Sequence, residues 1–350
     1  MTVDQGRAYV LVVNYRRWRD TIECLESVLR GTGVECRVLV CDNGSDDGSW
    51  ERLLEWAEGR VEAAPADPVM AGFCLPNLRK PLSYVSLDEI EAAVTDPAPV
   101  PVTFIRSREN RGFAGGNNLC LQHALRDGEA RWIWLLNNDT VVAPDALARL
   151  VERLQASPGA GMCGSTVAFY HRPGTVQAMG GGRYNSWLGA VRHVGEGEAV
   201  GTEPRESPSY VLGASLLAGA EFVREVGPLC EDYFLYFEEL DWAARSAGRY
   251  AVAWAPESVV YHKEGRSSGS TRAEAGERPA FADYCGIRSR LLFTRRFYPW
   301  ALPTVCLGLL LALVNRARRG QWSRIPGMLA LLLTIGGDRR RLPAWMEQAR

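Results

Sequence analysis

Four short polar clusters each follow an apolar run, and each carries groups that could do chemistry. They are Asn14-Tyr15, Asp42-Asn43, Asn110-Arg111-Gly112 and Asn137-Asn138-Asp139. Tyr15 can stack on a nucleobase. Asp42 can accept a hydrogen bond from the N3–H of a uracil or thymine ring, whereas the acceptor N1 of adenine would be repelled. The alternative for Asp42 is a turn carboxylate capping Ser45 or Asp46. The stretch from Asn110 through Asn117 to Asn118 offers backbone N–H groups near a helix start, which suit a diphosphate. Asn137-x-Asp139 can hold Mg2+ or Mn2+, which take one or two protein oxygens and fill their shell with diphosphate oxygens and water. The plainer alternative is an Asp capping the next helix.

Two further features lie toward the C-terminus. Glu238-Glu239-Leu240-Asp241 puts three carboxylates in four residues, and their repulsion favours a raised pKa. They follow Tyr233, Phe234, Tyr236 and Phe237 and precede Trp242. That setting fits a cleft wall with a carboxylate base better than a solvated charge run. His262 is a second metal ligand if it lies beside Asp139, and a structural histidine otherwise. The chain has no G-x-x-x-x-G-K-[ST] and no strict G-x-G-x-x-G, which argues against ATPase and NAD chemistry.

For these clusters to meet, the apolar runs must be strands of one sheet. Tyr9–Val13, Arg37–Cys41, Thr103–Ile105 and Trp132–Leu136 read as strands buried on both faces, as in a parallel sheet. Helices are expected over Thr21–Leu29, from Ser49, over Leu119–Leu125 and from Pro144 to Leu154. The fold class is therefore α/β, a doubly wound, mostly parallel twisted sheet flanked by helices, with ligands beyond the carboxyl ends of the strands. Residues 61–101 hold seven prolines and read as an insertion or long surface loop. Gly112–Asn118 reads as a turn and Trp187–Pro208 as a flexible loop. Gly265–Glu277 reads as a mobile segment.

Composition sets the outer limits. The 350 residues are 47% hydrophobic and 23% charged with net charge −1, which excludes a disordered chain, a disulfide scaffold and a nucleic-acid binder coated in basic charge. The nine cysteines form no C-x-x-C and fit buried thiols in a reducing compartment. The polar N-terminus lacks a signal-peptide pattern, so a cytoplasmic location is expected. The charge is uneven. Residues 284–350 carry 12 Arg and two acids, a net of +10, leaving −11 for residues 1–283. Trp300–Val314 and Ile325–Ile335 are uncharged runs, each shorter than the roughly 20 residues of a spanning helix. With Arg and Trp between them they fit a hairpin lying on the inner face of the cytoplasmic membrane. The alternative is a helix pair packing on the body or forming a homo-oligomer. On the membrane reading, a chain ending near Gly276 stays soluble and no longer binds anionic liposomes.

Taken in order, the motifs resemble the family-2, GT-A-type inverting glycosyltransferases, most of all their rhamnosyltransferase-like branch. The matching stretches are Val12-Val13-Asn14-Tyr15, Cys41-Asp42-Asn43-Gly44-Ser45, Asn110 to Asn118, Leu135 to Thr140, Gly213-Ala214-Ser215, Tyr236 to Trp242, and His262. The resemblance implies a GT-A domain over residues 1–266, and composition adds a linker over 267–283 and a C-terminal helical, membrane-associating segment over 284–350. It implies that Asn14, Tyr15, Asp42, Asn43, Asn110, Arg111, Gly112, Asn117 and Asn138 face the donor nucleotide. Asp139 then ends a metal-binding D-x-D whose first Asp is here Asn137, and His262 is the other metal ligand. Glu239 stands where relatives often carry an Asp base, with Glu238, Asp241 and Trp242 supporting it or the acceptor. The implied reaction moves a sugar from a dTDP- or UDP-linked donor, rhamnose first, to a glycan or lipid-linked acceptor, with a Mg2+ or Mn2+ cofactor. A sugar nucleotidyltransferase is the alternative enzyme, but Asn14-Tyr15-Arg16-Arg17 lacks the glycine expected after its first strand. A non-catalytic nucleotide-sugar-binding protein draws support only from Asn137.

Overall fold

The β-rich runs become strands because their side chains can be buried on both faces at once. In β1 (Arg7–Asn14), Tyr9 to Val12 are wholly excluded from solvent. A computed structural model describes residues 6–263, 279–338 and 342–347. After β1 come α1 (Trp18–Val28), β2 (Cys36–Asn43), α2 (Ser49–Ala57), α3 (Pro68–Cys74), β3 (Tyr84–Asp88), α4 (Glu89–Val94), β4 (Val102–Ser107), α5 (Gly112–Ala124) and β5 (Ala130–Asn137). Then follow β6 (Thr140–Val142), α6 (Ala146–Gln155), β7 (Ala160–Phe169), β8 (Arg172–Met179), β9 (Gly181–Asn185), β10 (Ala190–His193), β11 (Tyr210–Val211) and β12 (Ser215–Gly219). The last are α7 (Ala220–Val226), α8 (Glu238–Ser246), β13 (Ala251–His262), α9 (Ala280–Phe297), α10 (Leu302–Arg318), α11 (Ile325–Leu333) and α12 (Ala344–Glu347).

The main sheet runs β3-β4-β2-β1-β5-β12-β7-β13-β6, with β8 beside β7. From β3 to β5 every pairing is parallel, so the carboxyl ends of β4, β2, β1 and β5 line one rim. One core packs α1, α2 and α6 on one face through Ile22, Trp56 and Leu150. The other packs α5, α7 and α8 on the opposite face through Cys120, Phe222 and Trp242. A smaller antiparallel sheet, β10-β9-β11, stands at the side.

Three sequence expectations change. Residues 61–101 are not a loop, because β3 adds an edge strand parallel to β4 and α4 packs beside it. The buried carboxylate of Glu26 draws this segment in, accepting from Trp56 Nε1 (2.9 Å), Leu78 N (2.8 Å) and Lys80 Nζ (3.2 Å). Gly112–Asn118 is the start of α5 instead of a turn. Its glycines serve close packing, since a Cβ on Gly116 would lie 2.8 Å from Val13 Cγ1. Part of Trp187–Pro208 is ordered as β10, paired with β9. His262 ends a 12-residue strand that absorbs Pro256 in an irregularity between Ala255 and Val259.

The expected linker lies outside the described residues up to 278, and α9 begins at Ala280. Helices α9 to α12 share a core of their own, which also takes in Phe234, Leu235 and Tyr236. Asp283 ties α9 to the rest of the bundle through Arg316 (2.8 Å) and Arg324 (3.3 Å). The uncharged run at 300 is longer in structure than in sequence. Pro299–Arg318 is a continuous 20-residue helical stretch, an 18-residue part of which has mean hydropathy 1.5 and 22% of its residues buried, and by length and composition it could cross a membrane.

Candidate active site

Asn14 ends β1 fully buried, and its amide is spent inside the protein. Its Nδ2 donates to Asp42 Oδ1 (2.8 Å) and its Oδ1 accepts from Thr21 Oγ1 (2.8 Å). Asn138 Nδ2 donates to the same Thr21 hydroxyl (3.0 Å). Asn14 and Asn138 are thus engaged with each other's neighbours through Thr21. The chain Asn138–Thr21–Asn14–Asp42 joins the end of β5 to the end of β2. Thr21 is the shared link, and sequence spacing gave no sign of it.

Asp42 is 1% exposed. Its Oδ1 also accepts from Ser45 Oγ (2.6 Å), so the capping alternative is real for that oxygen. Oδ2 is buried with no hydrogen-bond partner among the described residues. Burial raises the carboxyl, against the hydrogen bonds from Ser45 and Asn14. A buried acceptor lone pair is costly unless something donates to it. Tyr15 is half-buried nearby, with the Arg16 guanidinium 5.0 Å from its ring centre.

The Asn110–Asn118 stretch does not present a ring of free donors. Arg111 N donates to Asn43 Oδ1 (3.0 Å), Gly112 N to Asn110 Oδ1 (2.9 Å) and Phe113 N to Phe234 O (2.8 Å). The Arg111 side chain is exposed, 3.6 Å from Glu89. Asn117 Nδ2 bonds back to Phe113 O (2.9 Å) and Asn118 clasps Leu229 and Glu231. Asn43, Asn110, Gly112 and Asn117 thus each have framework partners, and three of the N–H groups expected to face a diphosphate are already engaged.

Gly112 has a further task. Its φ is +73°, and a Cβ there would run into the Phe234 carbonyl. Gly112→Ala should cost about 1–2 kcal/mol from the left-handed backbone alone, with the collision in addition. An unchanged melting temperature would contradict this packing.

Asp139 and His262 do meet. Nε2 of His262 lies 3.2 Å from Asp139 Oδ1, and both residues are buried. Asn137 Nδ2 is 3.4 Å from the same Nε2. On the far side of the ring, Nδ1 lies 2.8 Å from Gln177 Oε1, an atom that can only accept. An Nδ1–H there would donate to Gln177, and Nε2 faces Asp139. Burial opposes ionisation of Asp139, but His262 and Lys263 outweigh it and hold the carboxyl below its usual range. Among the described residues no third His, Cys, Asp or Glu joins the pair. One carboxylate, one imidazole and the amide of Asn137 beside them still fit Mg2+ or Mn2+, which fill their shell from a diphosphate and water.

Glu239 lies in the first turn of α8. The preceding loop is strained, since Phe234, Tyr236 and Phe237 hold φ of 70°, 71° and 77°. Helix α9 pins that loop. Arg288 Nη1 donates to Asp232 O (2.6 Å), and Ser289 Oγ donates to Leu235 O (2.9 Å). A chain cut near Gly276 would lose these bonds, so truncation reports on the site as well as on the tail. Burial pushes the Glu239 carboxyl up to about 7, and raises its neighbour Glu238 well above the ordinary range. Glu238 is 1% exposed and its Oε1 has no hydrogen-bond partner among the described residues, so Glu239, which solvent reaches, is the group of the two suited to proton transfer. Asp241 is committed elsewhere, to Tyr233 (2.9 Å), Arg245 (2.5 Å) and Arg296 (3.0 Å). Trp242 is core, bonded to Gly227 O (2.8 Å). Both are engaged within the protein, as supports of the α8 turn.

A single turn joins base and metal pair. Ala214 O accepts from Asn137 N (3.1 Å), and a Cβ on Gly213 would lie 3.8 Å from the Glu239 carboxyl carbon. Asp42, the Asp139–His262 pair and Glu239 therefore share one rim of the sheet.

Residues 9–64 and 86–186 match the family model described as "Glycosyl transferase family 2". The unmatched interval includes α3. No curated protein matches the chain by sequence. Among solved structures the chain is similar to mannosyltransferase PcManGT from Pyrobaculum calidifontis, in complex with GDP-Man and Mn2+. Identity is 15% and the TM-score 0.51, over 94% of this chain and 87% of that one. It is also similar to GalNAc-T7, solved with UDP, GalNAc and Mn2+, at 13% identity and TM-score 0.53. That likeness covers 83% of this chain and 48% of the other, so this chain spans about half its length.

Proposed function

We propose that this chain is a glycosyltransferase of family 2 with a GT-A fold, an inverting enzyme using a pyrimidine nucleotide-diphosphate sugar. The acceptor is a hydroxyl of a cell-envelope or lipid-linked glycan. The observation that carries this reading is the meeting of Asp42, the Asp139–His262 pair and Glu239 on one rim. The unpartnered Asp42 Oδ2 supports a ring N–H donor, which the N3–H of uracil or thymine supplies. The motifs' resemblance makes dTDP-rhamnose the first donor to try and UDP-hexoses the next.

Glu239 takes the proton of the acceptor hydroxyl. The freed oxygen bonds to the anomeric carbon as the bond to the diphosphate oxygen breaks on the opposite face, so the configuration inverts. Asp139 and His262, with Asn137, would hold Mg2+ or Mn2+, which supplies charge neutralisation for the leaving diphosphate. Mn2+ in both similar structures supports that assignment. The enzyme sits in the cytoplasm, peripheral to the inner face of the membrane, through its C-terminal helices.

The test is turnover of dTDP-rhamnose and UDP-hexoses with a polyprenyl-diphosphate-linked glycan, with the new linkage read by NMR. An inverted linkage from a pyrimidine donor is expected, and a retained one would contradict the mechanism. Gln177 gives a separate check. Gln177→Leu frees the His262 tautomer and should weaken Mn2+ binding about 10-fold or more, with Gln177→Glu restoring it. Equal Mn2+ affinity in the Leu variant, read by electron paramagnetic resonance, would remove Gln177 from this role.

A further inference from the structure

Exposed large apolar side chains gather at one end of the molecule. Along the C-terminal helical stretch, Trp300, Thr304, Leu307, Leu311, Val314 and Arg318 recur at three- and four-residue spacing and are all exposed, so they form one stripe. The tip of the β9–β10 hairpin carries two more, Trp187 (58% exposed) and Leu188 (59% exposed). The tip is seated on the stripe. Thr304 Oγ1 donates to Trp187 O (2.5 Å), and a Cβ on Gly189 would lie 3.1 Å from Val305 Cγ2. Residues far apart in sequence thus make one apolar surface. Arg318 and Arg319 are exposed at its far end, followed by Trp322.

We infer that the hairpin tip and the α10 stripe form a single docking surface for a bilayer with anionic headgroups. On this surface the catalytic domain itself touches the membrane at Trp187 and Leu188. The inference rests on the peripheral-membrane reading given above. Charge decides the occupant. The stripe ends in arginines that match lipid phosphates, and tryptophans stand at both ends, where headgroups would lie. The −11 net charge of residues 1–283 keeps the rest of the chain off an anionic surface, which fixes its orientation. Rings connect this surface to the reacting groups. Phe237, directly before Glu238, lies 6.1 Å from Tyr184 on β9. Tyr184 lies 5.5 Å from Tyr298, and Tyr298 lies 5.4 Å from Trp300. An acceptor whose lipid end stays in the bilayer would have its glycan close to Glu239.

The experiment uses the full chain and vesicles of phosphatidylcholine with or without phosphatidylglycerol. Wild type should co-sediment with the phosphatidylglycerol vesicles. Trp187→Ser/Leu188→Ser and, separately, Leu307→Ser/Leu311→Ser should each lower partitioning about tenfold or more, with unchanged melting temperatures. Trp187→Phe, a variant that keeps the apolar bulk, should retain binding but lose part of the fluorescence quenched by brominated lipid. If the hairpin pair binds like wild type while the α10 pair fails, this inference falls and the tail alone anchors the chain. If wild type binds no vesicle, the peripheral-membrane reading falls first. A wild-type dimer that the same substitutions dissociate, without vesicle binding, would assign the surface to a second copy.

Discussion

Glu239→Gln should lower turnover by about 10²–10⁴-fold while leaving nucleotide binding intact. Gln keeps the shape of the side chain and removes only the proton acceptor. The pH dependence should follow the same group. Burial pushes its carboxyl up to about 7, so the ionised base is lost as pH falls below that value. Wild-type kcat/KM should fall about tenfold per pH unit on the acid side and level off above it. Stability runs the other way. A carboxyl raised in the folded state favours folding at low pH, and that contribution is lost as pH rises through about 7. Above pH 7 the Gln variant should therefore melt no lower than wild type. Unchanged turnover in Glu239→Gln would remove Glu239 as the base, and Glu238→Gln would then be the variant to measure.

Asp139→Asn should cost on the order of 10²–10³-fold in turnover and weaken Mn2+ binding together with it. The carboxylate is the only anionic side chain beside His262 Nε2 among the described residues, so its loss leaves a neutral donor set. Nucleoside binding should survive, because Asp42 is held through Asn14 and Ser45 and not through Asp139. A variant with wild-type Mn2+ affinity would show that the metal pair is structural.

The strand-end chemistry was legible because it depends on residue type at positions set by the sheet. Asp42 and Asp139 stand on the rim that the pattern implied, Glu239 reaches it from the start of α8, and His262 reaches Asp139 across the sheet. What the sequence hid is of two kinds. Partners distant in sequence leave no local trace: Thr21 between Asn14 and Asn138, Gln177 behind His262, and Arg288 and Ser289 under the strained loop. Polar motif residues also divide between substrate and framework in ways that type alone does not reveal. Asn43, Asn110 and Asn117 satisfy backbone around α5, a framework that the turn reading of Gly112–Asn118 did not anticipate. The edge strand β3 escaped notice because, half exposed and ringed by prolines, it shows neither a buried run nor clean alternation.

The central claim is a pyrimidine pocket at Asp42 beside a divalent-cation site. Thermal melting with UDP, dTDP, GDP, ADP and CMP, each with Mn2+ or EDTA, tests it most directly. A ligand at ~100 times its Kd adds ~2.7 kcal/mol, enough to move the transition clearly. The account predicts a Mn2+-dependent rise with UDP or dTDP that Asp42→Ala abolishes. A rise with GDP or ADP in their place would contradict it.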